Sequence, residues 1–284
     1  MSFAKTTVFV ANILAATMLS LVAPGAAFAS SIFLTGHDPD FHASLGLNNL
    51  LGARNINNAA INFVTDPLFN PFTSGGVNKF LFVESTIPVP GGHTNGVNGI
   101  VASGHTAGTD FEHHTASTLN AELNLLGTKY NAIVVASDFG GILTAAELNI
   151  LNARSADIIA FLNAGGGIYA MAESNSQAQL TTGATRFGFL PFVVTSTQFN
   201  QTEVGITVTP FGASLGLTNT DVNGNFSHNI FTGIGELTAV DIDQFGNFLT
   251  IAGRAQISIP EPGSLALLST ALLVLAFGLR RRRS

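Results

Sequence analysis

Apolar and polar positions along this chain alternate between two periods. Ser31 to Thr35 (Ser-Ile-Phe-Leu-Thr) is a short β-branched and apolar run closed by Gly36, and it reads as a strand. Leu45 to Phe63 then places Leu47, Leu51, Ala59 and Phe63 at helical spacing. Lys79 to Val83 is a second apolar run and Ile100-Val101-Ala102 a weaker third. Ala116 to Leu126 has a helical pattern. Asn131 to Ser137 contains Ala-Ile-Val-Val-Ala, the continuous apolar run of a strand buried on both faces.

The clearest helix follows that strand. Thr144-Ala145-Ala146-Glu147 is a capping box, in which the hydroxyl and the carboxylate each satisfy an orphan amide of the first turn. Leu148, Leu151, Ile158 and Leu162 line one face, and Gly165 stands where a left-handed C-terminal cap belongs. Gly166 to Ala172 returns as a strand. Strand, helix and strand at this spacing make a βαβ unit, so the sheet is expected to be largely parallel. After about Phe187 the pattern changes. Phe192 to Thr195, Gly205 to Thr209, Leu237 to Ile242 and Phe248 to Ala252 read as strands, the last two joined by a Gln244-Phe245-Gly246-Asn247 turn. The expected fold is an α/β three-layer sandwich with a mostly parallel sheet and extra antiparallel strands at an edge in the C-terminal half.

Both ends of the chain break this rhythm. Lys5, an apolar Val8 to Val22 and Ala27-Phe28-Ala29 read as a secretory signal peptide over residues 1–29, cleaved after Ala29. At the other end, Gly263 to Leu279 is 17 residues without a charge. As a helix it would span roughly 25 Å, slightly short of the ~30 Å hydrocarbon layer, and being apolar all round it reads as a transmembrane segment. Arg280, Arg281, Arg282 and Arg283 follow it and favour the cytoplasmic side. Pro260 and Pro262 keep that helix from running back into the preceding domain. The order Pro260-Glu261-Pro262, apolar segment, arginine cluster resembles the PEP-CTERM sorting tail of exported bacterial proteins. That resemblance implies a Gram-negative bacterium, signal peptidase and exosortase as processing partners, and an inner-membrane intermediate held by the C-terminal helix. It also implies cleavage near Pro-Glu-Pro, followed by a cell-surface or extracellular location. The chain thus divides into residues 1–29, a domain over 30–258, and a tail over 259–284.

Composition narrows the domain's chemistry. There is no cysteine, which excludes disulfides, thiolate zinc sites and a cysteine nucleophile. Apart from Lys5 and the tail arginines, the six basic residues Arg54, Lys79, Lys129, Arg154, Arg186 and Arg254 face 17 acidic ones. A net charge near −11 argues against nucleic acid as a partner. With 30 Gly, 23 Phe and abundant Asn and Thr, the surface is polar through amides and hydroxyls, which suits an extracellular setting and extracellular polysaccharide as a partner class. With no Trp and two Tyr, the usual aromatic platform for sugar stacking is missing. No repeat of solenoid or propeller length is present.

The element order over Ser31 to Ala172 resembles the class I glutamine amidotransferase-like fold, a flavodoxin-like sandwich. The resemblance rests on Tyr130-Asn131-Ala132-Ile133-Val134-Val135-Ala136-Ser137-Asp138, the capped helix, and Gly165-Gly166-Gly167 running into a strand. It extends to trehalose-utilisation-like proteins. The family's catalytic cysteine belongs just after the strand at Ile168 to Ala172, where this chain has Glu173-Ser174-Asn175. Amidotransferase activity is therefore not expected.

The candidate ligand or metal residues lie in two acidic, histidine-bearing segments and at two strand ends. His37, Asp38, Asp40 and His42 follow the first strand. Asp110, Glu112, His113 and His114 precede a helix, with His105 upstream. Asp138 and Glu173 follow the next two parallel strands. Ligands of open parallel sheets bind outside the carboxyl ends of the strands, where His37, Asp38, Asp138 and Glu173 are expected and over which the Asp110 segment could fold. His with Asp or Glu suits Zn²⁺ or Mn²⁺, and all-oxygen subsets suit Ca²⁺. The spacing matches no established metal signature, and solvated loop residues are the competing reading. Three readings follow: a surface or matrix module with a binding role, a metal-dependent hydrolase of extracellular polymer or glycan, or a structural domain without catalysis that is only presented at the surface. Gly212-Ala213-Ser214-Leu215-Gly216 has the G-x-S-x-G letters, but Pro210 and the absence of a following helical face make Ser214 a loop serine. Asp221 to Asn225 reads as an Asn/Gly turn and His228 as a structural hydrogen-bonder.

Overall fold

The computed structural model describes residues 30–45, 49–87, 95–138, 142–171, 186–198, 204–224 and 227–255. Residues 1–29 with Ala27 and Ala29, the tail with Pro260, Glu261, Pro262, the apolar segment 263–279 and Arg280 to Arg283, and Glu173 all lie outside the described residues. Among the described residues no helix is long and apolar enough to cross a membrane.

Five parallel strands form one half of the sheet: β1 (Ser30–Thr35), β2 (Lys79–Val83), β3 (Phe111–His114), β4 (Tyr130–Val135) and β5 (Gly167–Met171). Every residue of β1, β4 and β5 is buried, because these strands are covered on both faces. That double burial is what makes their sequences continuously apolar rather than alternating. Phe33, Val134 and Tyr169 lie at the centre of this core, with Phe33 and Tyr169 in an edge-to-face contact at 5.6 Å.

The helices fall into two groups. After β1 come α1 (Pro39–Leu45), α2 (Leu50–Thr65) and the single turn α3 (Pro71–Ser74); α4 (Val97–Ala102) joins β2 to β3. α1, α2 and α4 pack together. α5 (Ala116–Glu122) joins β3 to β4, and α6 (Ala145–Ala153) with α7 (Ser155–Asn163) joins β4 to β5. α5 packs on α6. Right-handed crossovers put the two groups on opposite faces of the sheet.

The strand order β3-β2-β4-β5-β1 departs from the expected flavodoxin-like arrangement. In that arrangement, 2-1-3-4-5, the first strand lies inside the sheet between the second and third. Here β1 lies beyond β5. Counting from β2 recovers 2-1-3-4, with β1 in the fifth place, so the connectivity is that of a circular permutation of the expected order.

The antiparallel half is attached at β1. It comprises β6 (Thr195–Gln198), β7 (Thr207–Val208), β8 (Asn229–Gly233), β9 (Thr238–Ile242) and β10 (Phe248–Ala255), with the short helices α8 (Pro210–Ser214) and α9 (Asn219–Val222) between β7 and β8. β10 pairs with all of β1 from Ser30↔Ala255 to Thr35↔Thr250, and on its other side with β9. Above the end of β1, β8 meets Phe248 and carries β6.

Several local expectations change. Ile100-Val101-Ala102 is not a strand but the end of α4, which buries Gly99 and Ile100 and leaves Val101 half exposed. The acidic histidine segment at Phe111–His114 is not a loop but β3, the outermost parallel strand. The single helix expected from Thr144 to Gly165 is two, broken at Arg154, whose side chain is held by Asp157, Asn120 and Asn124. Its capping box forms as expected, with Glu147 accepting the Thr144 N–H at 3.2 Å. The strand expected at Phe192 begins at Thr195.

Candidate functional site

β2 leads outward to β3, whereas β4 leads the other way to β5, so the chain changes direction between β2 and β4. In open α/β sheets the crevice above such a point, at the carboxyl ends of the strands, is where ligands bind. Three polar side chains converge there. Glu84 follows β2, Ser137 follows β4, and Asp40 enters from the first turn of α1; all three are buried.

Asp40 binds across 97 residues of sequence to Ser137, accepting its backbone N–H at 2.8 Å and its hydroxyl at 2.8 and 3.0 Å. It also accepts the N–H of Phe41 at 3.0 Å. Glu84 accepts the N–H groups of Val97 and Ile142, each at 3.0 Å, and a short bond from Gly96. Gly96 is the position where the two acids meet. A Cβ there would stand 2.6 Å from Asp40 Oδ2 and 3.0 Å from Glu84 Oε1, so only glycine fits. Gly99, one turn on, likewise admits the Asp40 carbonyl against α4.

Burial, followed by the negative charge of Asp40, pushes the Glu84 carboxyl up to about 8. Burial also raises Asp40 against the lowering effect of its Ser137 bonds. His113 extends the cluster from β3. Its Nε2 lies 3.1 Å from the Glu84 carbonyl oxygen and 3.6 Å from Glu84 Oε2, and burial lowers its pKa.

The other predicted residues disperse. Asp38, just before α1, pairs with His42 inside it at 3.2 Å, and burial first, then Asp40, raises Asp38 well above the usual carboxylate range. Asp138 is buried and salt-bridged to Arg186 at 3.0 Å. His37 turns toward the antiparallel half, where its Nε2 lies 3.2 Å from Asp241 Oδ2; Thr250 donates to that same oxygen at 3.1 Å. Asp110 does not fold over the carboxyl edge. It precedes β3 at the opposite, amino end, accepts the Thr106 N–H at 2.7 Å, and lines with His105, Asn78, Asn131, Ile61 and Phe80 a mixed polar and apolar pocket of about 160 Å³.

Glu112 and His114 alternate with His113 along β3 and so point away from Glu84. With Glu122 they form the group among the described residues that could surround a metal ion, their ligand atoms lying within 4.8 Å of one another. Two ammonium groups already stand there. Lys129 Nζ is 2.6 Å from Glu112 and 3.0 Å from Glu122, and Lys79 Nζ is 3.1 Å from Glu112. The Lys129 hydrogen bond above all holds Glu112 down at about 2, and the Glu112 bond in turn raises Lys129. Tyr130 joins the cluster with its hydroxyl 2.5 Å from Glu122.

Glu84 and Ser137 do not stand out in the sequence. The available signal is Glu84's place directly behind the apolar run Lys79 to Val83, a lone acid at the carboxyl end of a parallel strand. Ser214 closes α8 and donates its hydroxyl to the Phe211 carbonyl at 2.6 Å, with no strand-to-helix elbow around it.

Each oxygen of Asp40 and Glu84 already accepts at least one N–H or O–H donor. The pair therefore locks the start of α1, the start of α4 and the Ile142 segment onto the ends of β2 and β4. This is the geometry of a rigid, preorganised cluster, with a second lone pair left on Glu84 Oε2 beyond its Val97 bond.

Residues 258–283 match the model of the PEP-CTERM protein-sorting motif. No curated protein and no solved structure matches the chain. The motif supports a protein exported and sorted through its C-terminal tail, an exosortase substrate.

Proposed function

We propose that this protein is an exported module of the cell surface or extracellular matrix whose α/β domain binds polysaccharide at the carboxyl edge of its sheet without turning it over. The observation that carries the reading is the convergence of Asp40, Glu84 and Ser137 at the point where the chain direction reverses. Asp40, Glu84 and Ser137 are themselves buried, so they hold the loops at this edge in place rather than touch the ligand. With Glu84 held up to about 8 and so largely uncharged at neutral pH, the edge suits a hydroxyl-rich ligand better than a cation. Processing by signal peptidase and exosortase, with a transient stay in the inner membrane through residues 263–279, delivers the domain to its place of action.

The test is retention of purified residues 30–258 on immobilised neutral and acidic polysaccharides, with product analysis for released oligosaccharides. Retention without release, weakened in Asp40→Asn, is the expected result. No retention on any polymer would end the binding reading, and release of oligosaccharides would replace it with the hydrolase reading. One observation favours a metal-dependent hydrolase: the Glu112, His114 and Glu122 group. A divalent ion there would have to displace Lys129 and Lys79 first.

A further inference from the structure

We propose that the amino edge of the sheet is a lipid-facing surface, on which Leu68 and Phe69 rest against a phospholipid bilayer while the tail anchors the chain. The proposal rests on the reading of residues 263–279 as the membrane segment. β10 runs from the carboxyl edge at Phe248 down to Ala255, which pairs with Ser30, the first residue of β1. Chain leaving β10 therefore emerges at the amino edge, beside the start of β1. Gly263 is only eight residues beyond Ala255. Fully extended, eight residues reach at most about 29 Å, so the amino edge must stay close to wherever the tail enters.

That edge carries an apolar tip beside the exit. Leu68 is 84% exposed and Phe69 37% exposed in the turn after α2. The tip is tied to the end of β10. The Arg254 guanidinium lies 3.4 Å from the Phe69 ring centroid and 4.5 Å from that of Phe63, and it pairs with Asp66 at 2.8 Å. The pair neutralises Asp66, which lowers the cost of bringing this turn of an acidic domain against apolar lipid. An exposed leucine beside a neutralised charge, within reach of a membrane segment, fits an interfacial contact. The orientation also turns the carboxyl edge with Asp40 and Glu84 away from the bilayer.

The cysteine-free chain makes the test direct. Leu68→Cys, Phe245→Cys and Ser269→Cys would each carry an environment-sensitive fluorophore in the chain from Ser30 to Ser284, reconstituted in bilayer nanodiscs containing spin-labelled quencher lipids. Phe245 is 75% exposed in the β9–β10 hairpin at the carboxyl edge, so neither it nor Leu68 is needed for folding. The expected result is quenching at Ser269 and at Leu68, the latter several-fold above Phe245. Quenching at Ser269 with Leu68 no different from Phe245 would overturn the lipid contact and leave the tail reading standing. No quenching at Ser269 would overturn both. Photo-crosslinking of the Leu68 position to a protein in place of lipid quenching would reassign the edge to a protein partner and overturn the proposal.

Discussion

Glu84 and Glu112 are the same side chain at two neighbouring parallel strands, and they end in opposite charge states. Glu84 stands behind β2 with no exposed surface, held by backbone N–H groups and near a second acid, and its carboxyl is pushed up to about 8. Glu112, within β3, is a quarter exposed, faces two lysines, and is held down at about 2. Both clusters contain a histidine, His113 in one and His114 in the other, adjacent in sequence and sent to opposite sides by the alternation of the strand. Desolvation therefore decides one cluster and countercharge the other. A composition that reads as one candidate metal site becomes a structural lock on one side and a surface ion network on the other.

The comparison breaks most readily at Glu84. Glu84→Ala would leave the N–H groups of Gly96, Val97 and Ile142 without their acceptor, at about 1–3 kcal/mol for each buried donor left unpaired. Chemical denaturation should show a loss on the order of 3 kcal/mol or an unfolded chain. A loss below about 1 kcal/mol would mean the lock is not structural.

Ser137→Ala removes a hydroxyl donor to Asp40 but keeps the backbone bond, so a loss of about 1–2 kcal/mol is expected. No measurable change would show that Asp40 is held by its backbone partners alone.

Glu84→Gln sharpens the contrast through pH. A carboxyl raised from its ordinary value of 4.5 to about 8 stabilises the fold relative to the ionised form fully below 4.5, and loses that contribution as pH rises through 8. The stability of the parent minus that of Glu84→Gln should therefore fall between about pH 4.5 and 8 and level off above. Asp40 and His113 adjoin Glu84, so the part of their titration that is coupled to it enters the difference as well. A difference that is flat or rises over this range would show that Glu84 is ionised throughout.

The smallest effect is expected at the exposed cluster. Lys129→Met should change stability by no more than about 1 kcal/mol, because ion pairs open to solvent are screened. It uncovers Glu112 and Glu122, so added Zn²⁺ should raise the melting temperature of this variant more than that of the parent. Equal shifts in both would show that the lysines do not cover the group.

Local chemistry makes part of this protein legible. Ala132-Ile133-Val134-Val135 reads as a doubly covered strand from its own side chains, and Thr144 with Glu147 closes a helix end three residues apart. Val97 to Ala102 does not declare itself, because six apolar and small residues carry too short a period to separate helix from strand. Glu84 is silent for another reason: an isolated acid shows nothing until its surroundings are known.

The sequence by itself determined the sorting tail, whose motif, apolar run and arginines are contiguous, and the buried parallel strands β1, β2, β4 and β5 with the capped helix, whose signals span a few residues each. Only the tertiary structure decided the position of β1 beyond β5, the meeting of Asp40 with Ser137, and the pairing of His37 with Asp241 over 204 residues. The charge state of an acid depends on what lies within a few ångströms of it in space, and the sheet order brings together residues that the chain keeps far apart.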